Sequence, residues 1–367
     1  MSGNGALQVI SGDSHVMEPN DMWEKTIFKK WGDLTPRPVP EYNGKAGNFF
    51  YSGAQTLIMG RSDESAKKIG MQAAGWDPAV RLQFQEKAHV AGEMMNATRM
   101  LLIMQHPHQG VLRDCASVFN DWLADYCAHD PKRLFGVAMI PMGDVDWAIR
   151  EVERVVKKGL RVANVPLTAP ADGPPYRDKV YDKFWARCQE MQLPVQLHSI
   201  TGRIPDPLHF HTRDEQETAP GVLLDLLYEA MGEVANEFIF GKILDRFPTL
   251  KFILSEFEIS WLPTYMWRLD QMQESFAARL PLPKLERRAS EYVKTRFWHG
   301  MVDDGLADKA IPHIGIDRVI WGSDFPHIRS IGLDAQSRVA KMFEKFSPAD
   351  RAKLVGGNAM QAYNLAN

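Results

Sequence analysis

The stretch from Asp317 to His327, DRVIWGSDFPH, joins a short apolar run to a turn that carries polar side chains. The run VIW at residues 319–321 is typical of a buried β-strand. Asp324 follows it closely, so the sequence places a carboxylate at the carboxyl end of a late strand. Polar residues in this position build the active sites of α/β barrels.

A second apolar run lies near the other end of the chain, at residues 7–10. It is followed by Gly12-Asp13-Ser14-His15, which places a carboxylate and an imidazole at the end of the first strand. Carboxylate and imidazole groups gathered at strand ends are typical of a metal site.

Short apolar runs alternate with helical patterns along the rest of the chain. We predict eight strands, near residues 7, 100, 135, 160, 195, 252, 297 and 319. Strand two is expected at Met100 to Met104, after a helix from Val80 to Ala97. The composition does not change along residues 1–367, which predicts one (β/α)₈ TIM barrel domain. A doubly wound fold needs a glycine-rich turn after its first strand, and Gly3-Asn4-Gly5 precedes that strand.

Residues 16–80 differ from the rest because they are rich in proline and glycine and lack sustained periodicity. We interpret them as a long, mostly irregular insertion after strand one. An insertion at this point emerges on the catalytic face of a barrel. We therefore expect it to form a lid whose aromatic residues contact the substrate, a partner subunit in a homodimer, or the lid itself.

The bulk composition limits the classes of function. The 367 residues carry a net charge of −3 with no concentrated basic stripe, which argues against nucleic-acid binding. No apolar run is long enough to span a bilayer, and the first residues do not resemble an export signal. Three cysteines without metal-type spacing are typical of reduced thiols, so we expect a cytoplasmic protein.

Six polar residues fall at the ends of five predicted strands. They are Asp13, His15, His198, Glu256, His299 and Asp324. Histidines with carboxylates suit a divalent metal ion with open positions, and Asp324 is placed to act both as ligand and as proton acceptor. Each residue alone also fits a structural role; His198 and His299 could be core histidines, and Glu256 could pair with Arg268.

The chain resembles the amidohydrolase-related family, in the branch of aminocarboxymuconate-semialdehyde and hydroxybenzoate decarboxylases. The resemblance runs through nearly the whole chain. It is carried by Asp13-Ser14-His15 with Glu18-Pro19, Asn120 to Leu123, Pro131 to Leu134, Gly136 to Pro141, Leu197-His198, Phe247-Pro248, Ser255-Glu256, Gly322 to His327, and Gly357-Asn358-Ala359 with Tyr363.

The resemblance implies that Asp13, His15, His198 and Asp324 are the metal ligands. Two positions depart from the family pattern. Asp13 stands where the semialdehyde decarboxylase has histidine, although the hydroxybenzoate decarboxylases commonly have an acidic residue there. Glu256 stands where the family often places a proton-shuttling histidine. Glu256 thus brings the decarboxylase proton relay into question and offers a further ligand.

These observations predict a metal-dependent hydrolase or non-oxidative decarboxylase acting on a small carboxylated substrate, either aromatic or unsaturated. Asp324, Glu256 and His299 are the expected catalytic residues, with one or two ions of zinc, manganese or iron. The alternatives are a non-haem dinuclear iron or manganese oxygenase of the same superfamily, and a non-catalytic subunit that stabilises an active partner. We expect a homodimer or a hetero-oligomer with a homologue.

Overall fold

The computed structural model describes residues 8–42, 44–53, 56–58, 72–104, 106–202, 222–277, 279–327 and 330–365. Eight parallel strands form a nearly closed barrel, which confirms the predicted (β/α)₈ fold. In barrel order they are β1 Val9–His15, β5 Val90–Asn96, β6 Leu134–Met139, β7 Val162–Val165, β8 Val195–His198, β9 Phe252–Ser255, β10 Phe297–Met301 and β11 Val319–Trp321.

The helices follow the strands in sequence and surround them. They are α1 Met22–Trp31, α2 Pro78–Ala88, α3 Arg99–Ile103, α4 Gln109–Cys127, α5 Val145–Lys157, α6 Asp182–Glu190, α7 Val222–Glu233, α8 Ile243–Arg246, α9 Leu262–Gln271, α10 Ala289–Arg296, α11 Ala307–Ile314, α12 Ala335–Met342, α13 Pro348–Ala352 and α14 Asn358–Ala362. Short π-helical segments extend three of them, at Val234–Ile239, Met272–Phe276 and Lys353–Gly357. Within the described ranges, no helix is both long and apolar enough to cross a membrane.

The first and last strands meet at the mouth of the barrel. The backbone N–H of Asp324 donates to the carbonyl of Asp13 at 2.8 Å, and the N–H of His15 donates to the carbonyl of Phe325 at 2.7 Å. Gly322 permits this approach, because a Cβ atom there would lie 2.4 Å from the Cβ of Asp13. The contact brings together polar residues from opposite ends of the sequence.

The prediction for strand two was wrong. The strand is β5, Val90–Asn96, and the helix before it ends at Ala88 rather than Ala97. Residues 99–103, expected to lie in a strand, form the short helix α3. Methionine, alanine and glutamate favour helix locally, but parallel pairing with β1 and β6 buries this segment as a strand.

The insertion after β1 is more regular than we expected. Its described residues contain α1 and a three-stranded antiparallel sheet of β2 Arg37–Tyr42, β3 Lys45–Tyr51 and β4 Thr56–Ile58. Trp23 is buried near Phe50, and its indole N–H donates to the carbonyl of Cys115 on α4 at 3.1 Å. These two aromatic residues therefore anchor the insertion to the chain's own helices.

Side chains inside the barrel follow the two-residue alternation of its strands. Ile253, Trp298 and Ile320 pack together with Tyr363 in one buried apolar cluster. The Tyr363 hydroxyl donates to the carbonyl of Gly12 at 3.0 Å. The cluster also includes residues of β1, β5, β6 and β7, so it marks the inward-facing side of the barrel strands.

Candidate metal centre

His15 ends β1 and has both ring nitrogens directed at acceptor oxygens. Its Nδ1 lies 2.6 Å from the carbonyl of Ala97, so the hydrogen-bond network assigns the ring proton to Nδ1. Its Nε2 lies 3.4 Å from Asp13 Oδ1 and 3.3 Å from Asp324 Oδ1. In the neutral ring, an unprotonated nitrogen therefore faces two carboxylates.

His198 ends β8 and repeats this arrangement. Its Nδ1 lies 3.0 Å from the carbonyl of Ser199, which again assigns the proton to Nδ1. Its Nε2 lies 3.5 Å from Asp13 Oδ1. A histidine held through one nitrogen by an oxygen acceptor, with the other nitrogen directed inward, is the usual arrangement of a metal ligand.

The carboxylate of Asp13 is held in place by two donors on neighbouring strands. Asn96 at the end of β5 donates to Oδ1 at 2.8 Å, and Ser255 at the end of β9 donates to Oδ2 at 3.0 Å. Asn96 in turn accepts a hydrogen bond from Gln196 at 2.7 Å. Asp13 thus lies at the centre of a buried network with a defined orientation.

Asp324 approaches from the turn after β11. Its backbone has a φ of 54°, a left-handed conformation that aspartate adopts more readily than most side chains. Its Oδ1 lies 3.3 Å from His15 Nε2 and 2.8 Å from His327 Nδ1. The turn therefore brings a second histidine, His327, to the same carboxylate.

The donor set fits a divalent metal ion. Three buried atoms, His15 Nε2, His198 Nε2 and Asp324 Oδ1, have no hydrogen-bond partner among the described residues. Donor atoms bound to one ion at about 2.1 Å are about 3.4 Å apart in a tetrahedral arrangement. The separations of 3.3–3.5 Å from His15 and His198 to Asp13, and from His15 to Asp324, match this spacing. Buried lone pairs at these distances repel one another unless a metal ion or a proton lies between them.

The charges of the cluster depend on one another. Burial alone would raise the pKa of both carboxyl groups. The adjacent histidines outweigh burial, so they hold the pKa of Asp13 well below its ordinary value and that of Asp324 at about 2. Conversely, burial lowers the pKa of His15 and His198, but the facing carboxylates raise it above the usual value. Both carboxylates are therefore ionised, and a positive charge placed next to them stabilises the cluster.

Glu256 lies beside the cluster, after β9. Its Oε2 accepts a hydrogen bond from the hydroxyl of Ser199 at 2.6 Å and lies 3.7 Å from His198 Nδ1. No ion pair with Arg268 is recorded among the residues that the structure describes. Burial and the negative charge of Asp324 raise the pKa of the Glu256 carboxyl group. Glu256 therefore places a carboxyl group that can exchange a proton next to the centre.

The structure does not bring His299 to this group of side chains. Neighbouring residues on β10 face opposite sides, and Trp298 occupies the inward position. The Nε2–H of His299 donates to the carbonyl of Val293 on α10 at 2.9 Å. Burial lowers the pKa of His299 to about 4, so the ring is neutral at pH 7. Its position on the outer face of the strand separates it from the candidate centre.

A buried ion pair supports the strand ends beneath the centre. Arg81 on α2 donates to both carboxylate oxygens of Glu93 on β5, at 2.6 and 2.9 Å. The same guanidinium donates to the carbonyl of His15 at 2.9 Å and to that of Phe325 at 3.3 Å. Arg81 therefore holds the backbone of His15 and Phe325, next to the candidate ligands His15 and Asp324, and is itself paired with the buried carboxylate of Glu93.

A cavity of about 600 Å³ adjoins the mouth of the barrel. It lies between the segments that follow β6, β7 and β8, and Met142, Thr168 and Thr201 are among its lining residues. The Thr201 hydroxyl donates to the carbonyl of His198 at 2.7 Å. This hydrogen bond therefore connects the cavity wall at Thr201 to the candidate ligand His198 at the end of β8.

Several residues of the centre were not identified from the sequence. The sequence left the role of His327 open, although its spacing of three from Asp324 could have indicated it. Asn96 was not identified because the sequence predicted strand β5 at the wrong position. Ser199 was not identified because a single serine has no distinctive sequence pattern. His209 and His211 have metal-like spacing in a proline-rich segment that the sequence predicts to be a solvated loop, and they lie outside the described residues.

A (β/α)₈ barrel with histidine and carboxylate donors at its carboxyl mouth defines a metal-dependent enzyme of the barrel class. Sequence comparison identifies the family: residues 74–365 match the amidohydrolase family, and the chain belongs to it. This confirms the resemblance inferred from the sequence motifs.

Three relatives illustrate the family. The chain is 29% identical over 256 residues to gamma-resorcylate decarboxylase of Polaromonas sp. strain JS666, covering 67% of this chain and 75% of the relative. It is 24% identical over 294 residues to 2-amino-3-carboxymuconate-6-semialdehyde decarboxylase of Dictyostelium discoideum, covering 79% and 77%. Its fold matches the crystal structure of a Polaromonas sp. JS666 dihydroxybenzoic acid decarboxylase with bound manganese and 2-nitroresorcinol, with a TM-score of 0.68, 22% identity and 98% of each chain covered.

Proposed function

We propose that this enzyme is a metal-dependent carboxy-lyase that removes CO₂, without oxidation, from a small aromatic or unsaturated carboxylic acid. The position of Glu256 carries this proposal, because its Oε2 lies 3.7 Å from His198 Nδ1 and accepts a hydrogen bond from Ser199, which places a carboxyl group beside the candidate metal centre. Decarboxylation needs a proton donor for carbon, whereas hydrolysis needs a base for water. The decarboxylase activity of the two sequence relatives supports the same assignment.

We assign Asp13, His15, His198 and Asp324 as the residues that would hold the ion. Manganese is the ion that the solved dihydroxybenzoic acid decarboxylase contains, and mixed nitrogen and oxygen donors suit it. A divalent ion bound here supplies electrophilic attraction for the substrate carboxylate and a neighbouring oxygen.

The chain's own residues supply the remaining steps. Ser199 orients Glu256 through the 2.6 Å hydrogen bond to Oε2. As the bond between the substrate carbon and its carboxylate breaks, CO₂ leaves and the electron pair remains on that carbon. The protonated carboxyl group of Glu256 delivers its proton to the same carbon, and water restores the proton afterwards. The insertion after β1 would cover the mouth and exclude competing water.

The proposal can be tested by product analysis. The purified protein, loaded with Mn²⁺, is incubated in D₂O with a panel of hydroxybenzoic acids and unsaturated dicarboxylic acids. We expect CO₂ release from at least one acid, with one deuterium at the carbon that carried the carboxylate. Hydrolysis of ester or lactone substrates by the Mn²⁺-loaded protein, without CO₂ release from any acid, would contradict the proposal.

A further inference from the structure

We infer that Gln196 is a positioning residue of the candidate metal centre, and that it acts through Asn96 on the carboxylate of Asp13. The inference rests on the metal centre of the proposed function. It adds a residue of the barrel interior that neither the sequence motifs nor the comparisons assign to the site. Gln196 touches neither a candidate histidine ligand nor Asp13 itself, so its effect on the centre must pass through another side chain.

Gln196 lies on β8, two residues before the candidate ligand His198. Side chains two apart on a strand face the same side, so both are directed into the barrel. Gln196 is paired in register with Asn164 on β7, and both side chains are buried. The strand that ends in a candidate ligand therefore also places an amide group beneath the mouth of the barrel.

The amide group of Asn96 has a defined orientation. Its Nδ2 lies 3.3 Å from the carbonyl oxygen of Ser14, which can only accept a hydrogen bond, so the NH₂ group is on that side. The same nitrogen donates to Asp13 Oδ1 at 2.8 Å. The contact with the Ser14 carbonyl fixes this orientation whatever the charge of Asp13. The Oδ1 of Asn96 is thereby directed toward Gln196.

Gln196 supplies the donor for Asn96 and is held on its other sides. Its Nε2 donates to Asn96 Oδ1 at 2.7 Å and to Asn164 Oδ1 at 3.2 Å. Its Oε1 accepts a hydrogen bond from the hydroxyl of Tyr363 at 3.2 Å. Both ends of the amide thus have partners, and the group cannot rotate without leaving buried polar atoms unpaired.

This chain of amides ends at the oxygen that faces both candidate histidine ligands. Asp13 Oδ1 lies 3.4 Å from His15 Nε2 and 3.5 Å from His198 Nε2. Without Gln196, the buried Oδ1 of Asn96 would lose its donor, and the amide would turn to recover one. That rotation would withdraw Nδ2 from Asp13. The orientation of the Asp13 carboxylate therefore depends on Gln196.

A double-mutant cycle on Mn²⁺ binding tests this dependence. Metal-free protein is titrated with MnCl₂, and free Mn²⁺ is measured by electron paramagnetic resonance, for wild type, Gln196→Met, Asn96→Leu and the double variant. We expect binding about 10-fold weaker in Gln196→Met and about 10- to 100-fold weaker in Asn96→Leu. The double variant should match Asn96→Leu within about twofold, because Gln196 acts through Asn96.

Asn120→Leu is the matched control, because Asn120 is also a buried amide bonded to a barrel strand. It donates to the carbonyl of Met139 on β6 at 3.1 Å and accepts from the N–H of the same residue at 2.8 Å. Denaturant unfolding of the metal-free variants should show lower stability for Asn120→Leu, while its Mn²⁺ affinity stays at the wild-type value. Weaker binding that only follows lost stability would appear in this control as well.

Gln196→Asn is a second variant of the same position. Its shorter side chain keeps an amide in the barrel interior but does not reach Asn96, so it should weaken Mn²⁺ binding as Gln196→Met does. Wild-type affinity in either folded variant would overturn the inference and leave the metal centre standing. Failure of both variants to fold would also overturn it, since the role of Gln196 would then be structural.

The cycle separates the remaining outcomes. Losses that multiply in the double variant would show that Gln196 does not act through Asn96, and the inference would be wrong. If the wild type itself binds no Mn²⁺, the proposed metal centre fails, and the positioning role of Gln196 fails with it.

Discussion

His15 Nε2 lies 3.3 Å from Asp324 Oδ1, so the first and last strands of the barrel meet at one pair of side chains. The backbone holds this pair in place, because the N–H of Asp324 donates to the carbonyl of Asp13. The contacts that close the barrel between β1 and β11 therefore also assemble the candidate centre. Changes to the centre can be expected to affect both metal binding and the junction between β1 and β11.

Asp13→Asn should weaken metal binding at least about 100-fold, since the substitution removes a negative charge that faces both His15 and His198. The measurement is the Mn²⁺ content per chain after gel filtration, together with titration of the metal-free protein. Asp125→Asn is the matched control, because Asp125 is exposed on α4 and should leave binding unchanged. Equal Mn²⁺ binding by wild type and Asp13→Asn would remove Asp13 from the ligand set.

Glu256→Gln should reduce CO₂ release by about 10²–10⁴-fold while the protein folds normally and binds Mn²⁺. The amide keeps the shape of the side chain but cannot deliver a proton at neutral pH. Turnover and metal content are measured on the same preparations, with Glu291→Gln on the exposed face of α10 as the control. Near wild-type turnover would reduce Glu256 to a structural role.

Arg81→Met should destabilise the fold by about 3–5 kcal/mol, because Glu93 would remain buried without its cation. Replacing both partners, as Arg81→Met with Glu93→Leu, should recover part of this loss. Denaturant unfolding measures both changes. Arg288→Met is the control, since the Arg288 side chain is exposed and its ion pairs should be worth less than about 1 kcal/mol. A small effect of Arg81→Met would show that water replaces the guanidinium.

His299 should make the protein less stable in acid. Burial lowers its pKa from 6.5 to about 4, so the unfolded chain binds more protons than the folded one between these values. This contribution is complete above pH 6.5 and is lost as the pH falls to 4, amounting to roughly 3 kcal/mol. His299→Gln removes the titrating group. The unfolding free energy of the variant should therefore fall less steeply over this range, and parallel curves would refute the assignment.

Ligand binding should protect the insertion at residues 16–80 from cleavage by trypsin. If it closes over the mouth, a nitro-substituted substrate analogue with Mn²⁺ should slow tryptic cleavage within this segment several-fold. Cleavage sites are identified by mass spectrometry, and the exposed Lys353 site provides the internal control. Identical cleavage rates with and without the analogue would show that the segment does not act as a lid.

The sequence alone determined the class of fold and most of the candidate ligands. Alternating strands and helices predicted the barrel, and the strand-end positions predicted that Asp13, His15 and His198 lie close together, as do His15 and Asp324. Both inferences rest on local pattern, because in parallel α/β barrels the strand ends lie on one face. The position of strand β5 was predicted wrongly, because its local composition favours helix and only pairing with its neighbours makes it a strand.

The tertiary structure decided which side each histidine faces. His299 follows a strand as His198 does, but Trp298 occupies the inward position and directs His299 toward α10. The two-residue alternation is visible in the sequence, yet it does not say which of two neighbours lies inside the barrel. His327 joins the centre only because the turn after β11 packs its ring against His15. Contacts between the two ends of the chain, rather than any local pattern, determine that position.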